Sequence, residues 1–511
     1  MTHICLLIQS SPPNDRLKSR GAVPFIIMTE LITETTPIAL NVKTAAVIGA
    51  GPAGLSAAYK LQASGVQVTV FEASSQVGGM AGSFNLWGQI VDFGPHRFFS
   101  SDPRINEFWL DVVGNEYVMV NRLTRIFYKN RFFSYPIQAF NALIGLGLIE
   151  AIRCVLSYVR AKVFPIKDES KFDAWVINRF GKRLFEIFFK SYTEKLWGIK
   201  CSVLDADFAA QRIKKLSLFE AIKGAILGNR KNQHRTLIDE FAYPNSGAGH
   251  VYKKLADRFV DIGGDIRFKS EITDLKISED TVSVVFNSIE SLTFDVVISS
   301  MPLTQLVEKL DAPSELKALS RQLKFRNTIL VYLKIQGHNP FPDQWIYVHE
   351  ENLMTGRITN FRNWTSTINN GLNDHIICLE YWCYDEDELW HWENSSLIQK
   401  ATDELYATGL VDNDAVDAGF VKRVPKCYPV YSAGYRELLD PIQDYFRGVD
   451  RVIPIGRYGS FKYNNQDHSI LMGILVAQKI LVDKQIDLWS VNTDYEYQES
   501  TRITATGLIR E

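Results

Sequence analysis

The sequence predicts an α/β fold in which a doubly wound parallel-sheet domain is interrupted by a helical insertion and by an antiparallel sheet. Three observations predict it. Ala45-Ala46-Val47-Ile48 is a short continuous apolar run that leads directly into Gly49, Gly51 and Gly54, as in a strand buried on both faces that turns tightly into a helix. From about Ile137 to Gly228 apolar residues recur at spacings of three and four, as in Phe172, Trp175 and Val176, then Phe185, Phe188 and Phe189, which is the helical period. Between about Phe325 and Pro429 strand patterns dominate.

Taken in order, residues 1–43 form an extension. Its run Ser10-Ser11-Pro12-Pro13-Asn14-Asp15 is unsuited to a core, no basic residue precedes its apolar run, and Met28 is an alternative start. Residues 44–134 open the parallel domain with a strand, a helix over Leu55 to Ser64 closed by Gly65, and a second strand over Val66 to Phe71. Residues 135–235 are the helical domain, and 236–310 resume the first domain with a helix at Val251–Val260 and strands at Asp265–Lys269, Ile272–Ile277 and Asp295–Ser300. Residues 311–440 are the antiparallel sheet, with strands at Thr328–Ile335, Ile376–Tyr384 and Gly419–Val424 and a solvated helix start at Asp385–Glu393. Residues 441–490 return to the first domain through a strand at Arg451–Ile455 and a helix at Ile470–Val482, and 491–511 are a tail.

The 511 residues are 46% hydrophobic and 22% charged, with a net charge of -2. These are values for a globular protein of two or three domains, and they offer no basic surplus for a nucleic-acid partner. The six cysteines show no metal-site spacing, so no metal is expected, and scattered reduced thiols fit a cytoplasmic location. No stretch qualifies as a membrane span.

The glycine spacing carries chemistry. Gly49 allows the tight turn, Gly51 lets backbone amides approach a pyrophosphate, and Gly54 lets helix and strand pack closely. The helix N-terminus adds a positive end for the phosphates, and Glu72, ending the second strand, is placed for a ribose hydroxyl. The second glycine turn, Gly78-Gly79-Met80-Ala81, lets an extended cofactor run past the first loop, which argues for FAD over a nicotinamide cofactor alone.

With these residues stand four further segments: Tyr135-Pro136-Ile137-Gln138, Tyr192-Thr193-Glu194-Lys195-Leu196-Trp197, Gly356-Arg357-Ile358-Thr359-Asn360-Phe361, and Gly456-Arg457-Tyr458-Gly459-Ser460-Phe461-Lys462-Tyr463 followed by Asn465-Gln466-Asp467-His468-Ser469. From Thr44 to about Lys484 the chain resembles the glutathione-reductase-like flavoproteins that include amine oxidases and protoporphyrinogen oxidase. Its segments look most like the eukaryotic-type UDP-galactopyranose mutases. The resemblance implies an FAD-binding Rossmann-like domain, a helical domain and a six-stranded sheet. It also implies an isomerase, with NAD(P)H the expected reductant. In that chemistry the reduced flavin attacks the sugar's anomeric carbon through N5, UDP leaves and returns, and pyranose and furanose forms interconvert without net redox change.

By the same resemblance, Arg212 and Arg357 fall on the two substrate arginines of a diphosphate clamp, a task suited to the guanidinium fork. Taken singly, either would more simply cap a helix or pair with a carboxylate. Tyr347, Tyr428 and Tyr463 match phosphate-side tyrosines, and Tyr135, Gln138 and Phe188 match uridine-side positions. Phe188 also fits the apolar stripe of its helix. His96 matches a histidine beside the isoalloxazine, with a structural histidine as the alternative. Arg457 would face the flavin, Ile272 would clamp the adenine through its backbone, and Trp197 would wall the sugar or simply pack. Asn465 and Gln466 would reach the sugar phosphates or the flavin, and the helix after them would favour a negative ring.

Two departures stand out. The family has Gly-Gly-His where this chain has Gly94-Pro95-His96, and proline restricts that loop. The family has a substrate-contacting Asn where this chain has Thr193, which leaves the identity of the nucleotide sugar open. An FAD-dependent oxidoreductase resembling amine or protoporphyrinogen oxidases remains the competing expectation. It accounts for the cofactor residues but not for the arginines and tyrosines, because a hydride donor needs no diphosphate clamp. Oligomeric state is not encoded in any of these patterns.

Overall fold

Short apolar runs far apart in the chain assemble into one five-stranded parallel sheet, in the order Val452–Pro454, Val296–Ser299, Thr44–Ile48, Gln67–Phe71, Asp265–Arg267. The computed structural model describes residues 42–100, 102–135, 137, 145–207, 240–482 and 485–492, with the backbone of 502–504 and 507–509. Gln138, Arg212 and all but the last two residues of the expected extension lie outside the described residues. The central strand Thr44–Ile48 is almost wholly buried, as a parallel strand covered on both faces must be.

The first helix runs Pro52–Ala63 and starts three residues earlier than the apolar pattern indicates, because proline at the first helical position already has a helical φ. It packs against Gly249–Asp261 and Gln466–Leu481. The last helix also starts early, at Gln466 rather than Ile470. Asn465 caps it, and His468 Nδ1 accepts back from the Asn465 amide at 3.2 Å. This is a reciprocal cap with histidine in the position usually held by Glu or Gln. Gly473 brings the two helices together, since a Cβ there would lie 2.5 Å from the Ala53 carbonyl oxygen.

The antiparallel region forms a seven-stranded sheet in the order Val416–Pro429, Phe325–Ile335, His375–Cys383, Arg357–Asn360, Trp345–Val348, Thr124–Tyr128, Arg131–Ser134. The resemblance implies six strands. The sheet gains from an upstream hairpin, whose strand Thr124–Tyr128 joins Trp345–Val348 in parallel. Arg125 holds that seam through a two-pronged pair with buried Asp343, at 2.8 and 2.6 Å, and Gln344 Oε1 accepts from the Leu123 amide at 2.6 Å. Phe325–Ile335 and His375–Cys383 are buried nearly throughout. Helix Asn394–Ala407 packs on Phe325–Ile335 and Val416–Pro429, and the stretch Asp385–Glu393 contributes one turn, Glu388–His391, ahead of it.

The helical region holds Leu148–Val163, Phe172–Phe180 and a run from Lys182 to Trp197 that widens into a π-turn at Glu186–Lys190. The five described cysteines are buried without disulfides. Among the described residues no His, Cys, Asp or Glu cluster could hold a metal, and no helix is long and apolar enough to cross a membrane.

Gly473→Val would drive a branched side chain into the Ala53 carbonyl, so it is expected to destabilise the protein by about 1–3 kcal/mol. A lowered thermal midpoint checks this.

Candidate active site

Gly49 and Gly54 make the first loop possible by leaving no room for a Cβ. At Gly54 a Cβ would stand 1.9 Å from the Gly49 carbonyl oxygen. Gly49 itself has φ +96, a region open mainly to glycine. The second turn meets the first: a Cβ on Gly79 would lie 3.1 Å from the Gly51 Cα, and the Gly78 amide donates to the Ala50 carbonyl at 2.8 Å. The N-cap of helix Pro52–Ala63 is Gly51, so no side chain occupies that positive end. Glu72 folds onto the same loop, its carboxylate accepting from the Ala50 and Ser74 amides at 2.8 Å each.

These turns line one end of a cavity of about 870 Å³, towards the upper end of what ligand sites occupy. Gly49, Gly51, Glu72, Gly79, Met80 and Ile272 line it here, while Gly54 and Gly78 support the loops from behind. The cavity continues past His96, Arg97 and the N-terminus of Gln466–Leu481, where Arg457, Asn465 and Gln466 border it. It ends among Tyr135, Tyr347, Arg357, Tyr428 and Tyr463. Two buried nitrogens in its wall, His96 Nδ1 and Arg97 Nη1, have no hydrogen-bond partner among the described residues, as expected where a ligand supplies one. The glycine cradles and these orphaned nitrogens fit a flavin dinucleotide.

Two arginines stand at the substrate-side end. Arg457 donates to the Cys427 and Asn464 carbonyls at 2.7 and 2.8 Å and lies over the rings of Tyr463 and Tyr428, 4.2 and 4.8 Å from their centroids. Arg357 is committed differently. Its Nε and one Nη donate to the two oxygens of Glu380 at 2.6 and 2.5 Å. Burial disfavours its charge, but the Glu380 carboxylate holds the guanidinium protonated well above its ordinary range. One edge of the guanidinium is therefore engaged from within the protein by a carboxylate, while Arg357 also lines the cavity. Three N–H groups, two on the second Nη and one on the first, remain for a ligand. His96 stays neutral because burial, then the charges of Arg357 and Arg457, push its pKa down to about 3.

The aromatic wall is built in layers. Tyr428 stacks on Tyr463 with centroids 5.4 Å apart, and Tyr347 sits 4.8 Å from Tyr135 and 5.3 Å from Tyr192. Trp197 is buried behind this wall, edge-on to Tyr428 and Tyr463, and Thr193 is buried on the same helix. Neither lines the cavity. Phe188 packs against Phe133 and Tyr128 at 5.2 and 6.3 Å, which places it in the core rather than against a base. Its helical spacing had signalled that alternative.

Sequence patterns left out Arg97, Asn464 and Glu380, and marked Tyr192 only as part of a family-like segment without a role. Glu380 had a usable signal, since it is the one ionisable carboxylate in the apolar strand His375–Cys383. A buried acid in such a strand needs a cationic partner. Nothing in the sequence distinguished Arg97 or Asn464, whose place depends on how the His96 loop and the last helix meet.

The family model described as flavin containing amine oxidoreductase matches residues 52–481. The coproporphyrinogen III oxidase of Staphylococcus aureus (strain NCTC 8325 / PS 47) is 22% identical over 284 residues, 51% of this chain and 60% of that protein. Protoporphyrinogen oxidase 2, chloroplastic/mitochondrial, of Arabidopsis thaliana is 43% identical over 76 residues, 15% of each. The chain thus spans less than two thirds of either relative. Among solved structures, a reduced UDP-galactopyranose mutase superposes with TM-score 0.76 at 22% identity, over 86% of this chain and 95% of that one. A fatty acid isomerase from P. acnes that produces CLA reaches 0.59 at 14% identity, over 87% and 100%. At these identities the likeness is one of fold.

Three outcomes follow from this geometry. Gly79→Val should abolish flavin retention, read as flavin absorbance per protein after gel filtration. Glu380→Gln leaves Arg357 buried and unpaired, a loss of about 3–5 kcal/mol in a urea melt. His96 and His349 are both depressed to about 3 by burial, from an ordinary 6.5. Through these two groups the unfolded chain takes up protons that the folded chain refuses, and they outweigh the opposite contribution of Asp92, raised by burial to about 7, so stability should fall as pH drops from 6.5 towards 3. His349→Gln should flatten that slope in melts run across the range.

Proposed function

The chain belongs to the flavin containing amine oxidoreductases, and within that family we propose an FAD-dependent nucleotide-sugar mutase that interconverts UDP-galactopyranose and UDP-galactofuranose or a related pair. One observation carries the reading: the cavity that holds the glycine turns runs on without a break into a cage of four tyrosines and two arginines. A bound, reduced flavin would supply the nucleophile for the anomeric carbon, and NAD(P)H is the proposed reductant.

The remaining tasks fall to side chains. Burial keeps the Tyr428 hydroxyl protonated well above its ordinary range, so it remains a neutral donor to phosphate oxygens. Tyr347 and Tyr463 offer the same group on rigid bodies, which position a ligand at low entropic cost. Arg457, fixed by two backbone carbonyls, places a positive charge where a reduced, anionic ring is favoured. Neutral His96 offers a hydrogen bond to that ring without adding charge. Water exclusion comes from the buried aromatic wall. The diphosphate would draw on Arg457, the free Nη of Arg357 and the tyrosine hydroxyls, with Arg212 proposed as a further contributor.

A second reading, an FAD-dependent oxidoreductase, is favoured by the Arg357–Glu380 pair. That pair removes cationic strength from the substrate end, and hydride transfer from an uncharged donor needs none.

Purified protein with dithionite and UDP-galactopyranose or UDP-galactofuranose decides between them. The mutase reading expects conversion only with reduced flavin, and a loss of about tenfold in kcat/KM for Tyr463→Phe, one neutral hydrogen bond. No conversion and no effect of UDP on the flavin spectrum would move the assignment to the oxidoreductase. UDP binding without conversion would keep the chemistry and change the sugar, with Thr193 the first position to vary.

A further inference from the structure

Helix Leu148–Val163 is built the wrong way round for a helix of a globular domain. Its inward face is small: Cys154 and Ala161 are its buried residues. Ser157 Oγ accepts from the Arg183 amide at 3.0 Å, and Gly181 lies so close that a Cβ there would stand 2.6 Å from the Tyr158 nitrogen. The outward face carries the large apolar groups. Leu148 is 78% exposed, Ile149 71%, Leu156 64% and Val163 61%, and Ile152, Val155 and Val159 are exposed beside them. At about 100° per residue these seven fall within an arc of roughly 120°. The exposed Phe164 and Ile166 extend the patch past the helix end.

Charge frames this stripe. By the same rotation Arg153 and Arg160 border one edge and Lys162 the other, and all three are exposed. Lys167 follows Ile166 and is exposed as well. The acid of the helix, Glu150, is drawn to Arg183 and Arg153. Of the acids that follow, Glu169 pairs with Arg179, and exposed Asp168 is the one left near the rim.

The geometry points to this helix as an interfacial anchor that lies in the surface of an anionic lipid bilayer, its apolar arc among the acyl chains and its arginines and lysines at the headgroups. An apolar arc with cations at both margins is the arrangement that holds a helix in the membrane plane, and each cation near an anionic surface adds to the attraction. A second copy of the chain fits less well, because two such faces in contact would bring like-charged rims together. The helix does not cross the membrane, being neither long nor apolar enough for that. The assignment is independent of the reaction proposed above.

Flavin-loaded, full-length protein sedimented with vesicles tests it. The protein should sediment with phosphatidylcholine vesicles that contain phosphatidylserine, less with phosphatidylcholine alone, and less at high salt. Ile152→Glu with Leu156→Glu changes only exposed positions. It should cut the bound fraction by about tenfold or more while flavin absorbance and thermal midpoint stay unchanged. Arg153→Glu with Arg160→Glu should remove the preference for phosphatidylserine, and this pair decides the matter if the glutamate pair at 152 and 156 fails to fold. No sedimentation with either vesicle overturns the assignment, as does equal sedimentation of the wild type and the folded variants. A dimer that Leu156→Glu dissociates, in a protein that ignores vesicles, also overturns it and gives the face to a second copy.

Discussion

The parallel sheet and its helices depend on backbone segments meeting without side chains between them. Gly54 abuts the Gly49 carbonyl, Gly79 abuts the Gly51 Cα, and Gly473 abuts the Ala53 carbonyl. These contacts fix the first helix against its own strand, against the second turn and against the last helix. Because Pro52–Ala63 is held on three sides, its N-terminus points into the cavity in one direction, with the charge effect of an open helix end. A methyl group at Gly54 or Gly473 would separate the layers by more than packing tolerates, and one at Gly79 would press the second turn off the first.

The far end of the cavity is governed by charge that is balanced rather than supplied. Arg457 is held by neutral carbonyls and keeps its full charge for the cavity, whereas Arg357 is offset by Glu380. The two guanidinium groups are near neighbours with different functions, one a source of field and the other half of a rigid strut across the sheet between Arg357–Asn360 and His375–Cys383. Gly94 lies against that strut, 3.5 Å from Glu380 Oε1 when given a Cβ, so the His96 loop rests on the ion pair. Beneath the same loop, burial raises buried Asp92 to about 7, even though Tyr243 donates to it at 2.8 Å and Ala248 at 3.1 Å. The histidine is thus neutral on a polar scaffold that is nearly all internally satisfied.

Much of this was legible in the sequence, and the reasons differ by region. The parallel strands were readable because burial on both faces leaves continuous apolar runs, and the glycine turns because their spacing has no other common use. The strand Ile272–Ile277 has the bounds its pattern indicated. Helix starts were misplaced where caps used Pro52 and His468 rather than apolar periodicity. Tyr135, Tyr347, Arg357, Tyr428, Arg457 and Tyr463, which the resemblance singled out, line one cavity. The resemblance did not reveal that Arg357 is already paired, since a partner on a neighbouring strand leaves no trace at the arginine itself. Nor did it separate Phe188 from the core, because a stacking ring and a packed ring have the same periodicity.

The hairpin Thr124–Ser134 gives the seven-stranded sheet a property that its linear map hides. It arrives from the first domain's side of the chain and is latched by Arg125–Asp343 and Leu123–Gln344. A fragment cut to contain only the downstream strands would end at Trp345–Val348, with a row of unmet amides and carbonyls and a buried aspartate stripped of its arginine. Such an edge invites intermolecular pairing. The sheet is therefore not a portable module: its boundary in space has no counterpart as a single cut in the chain.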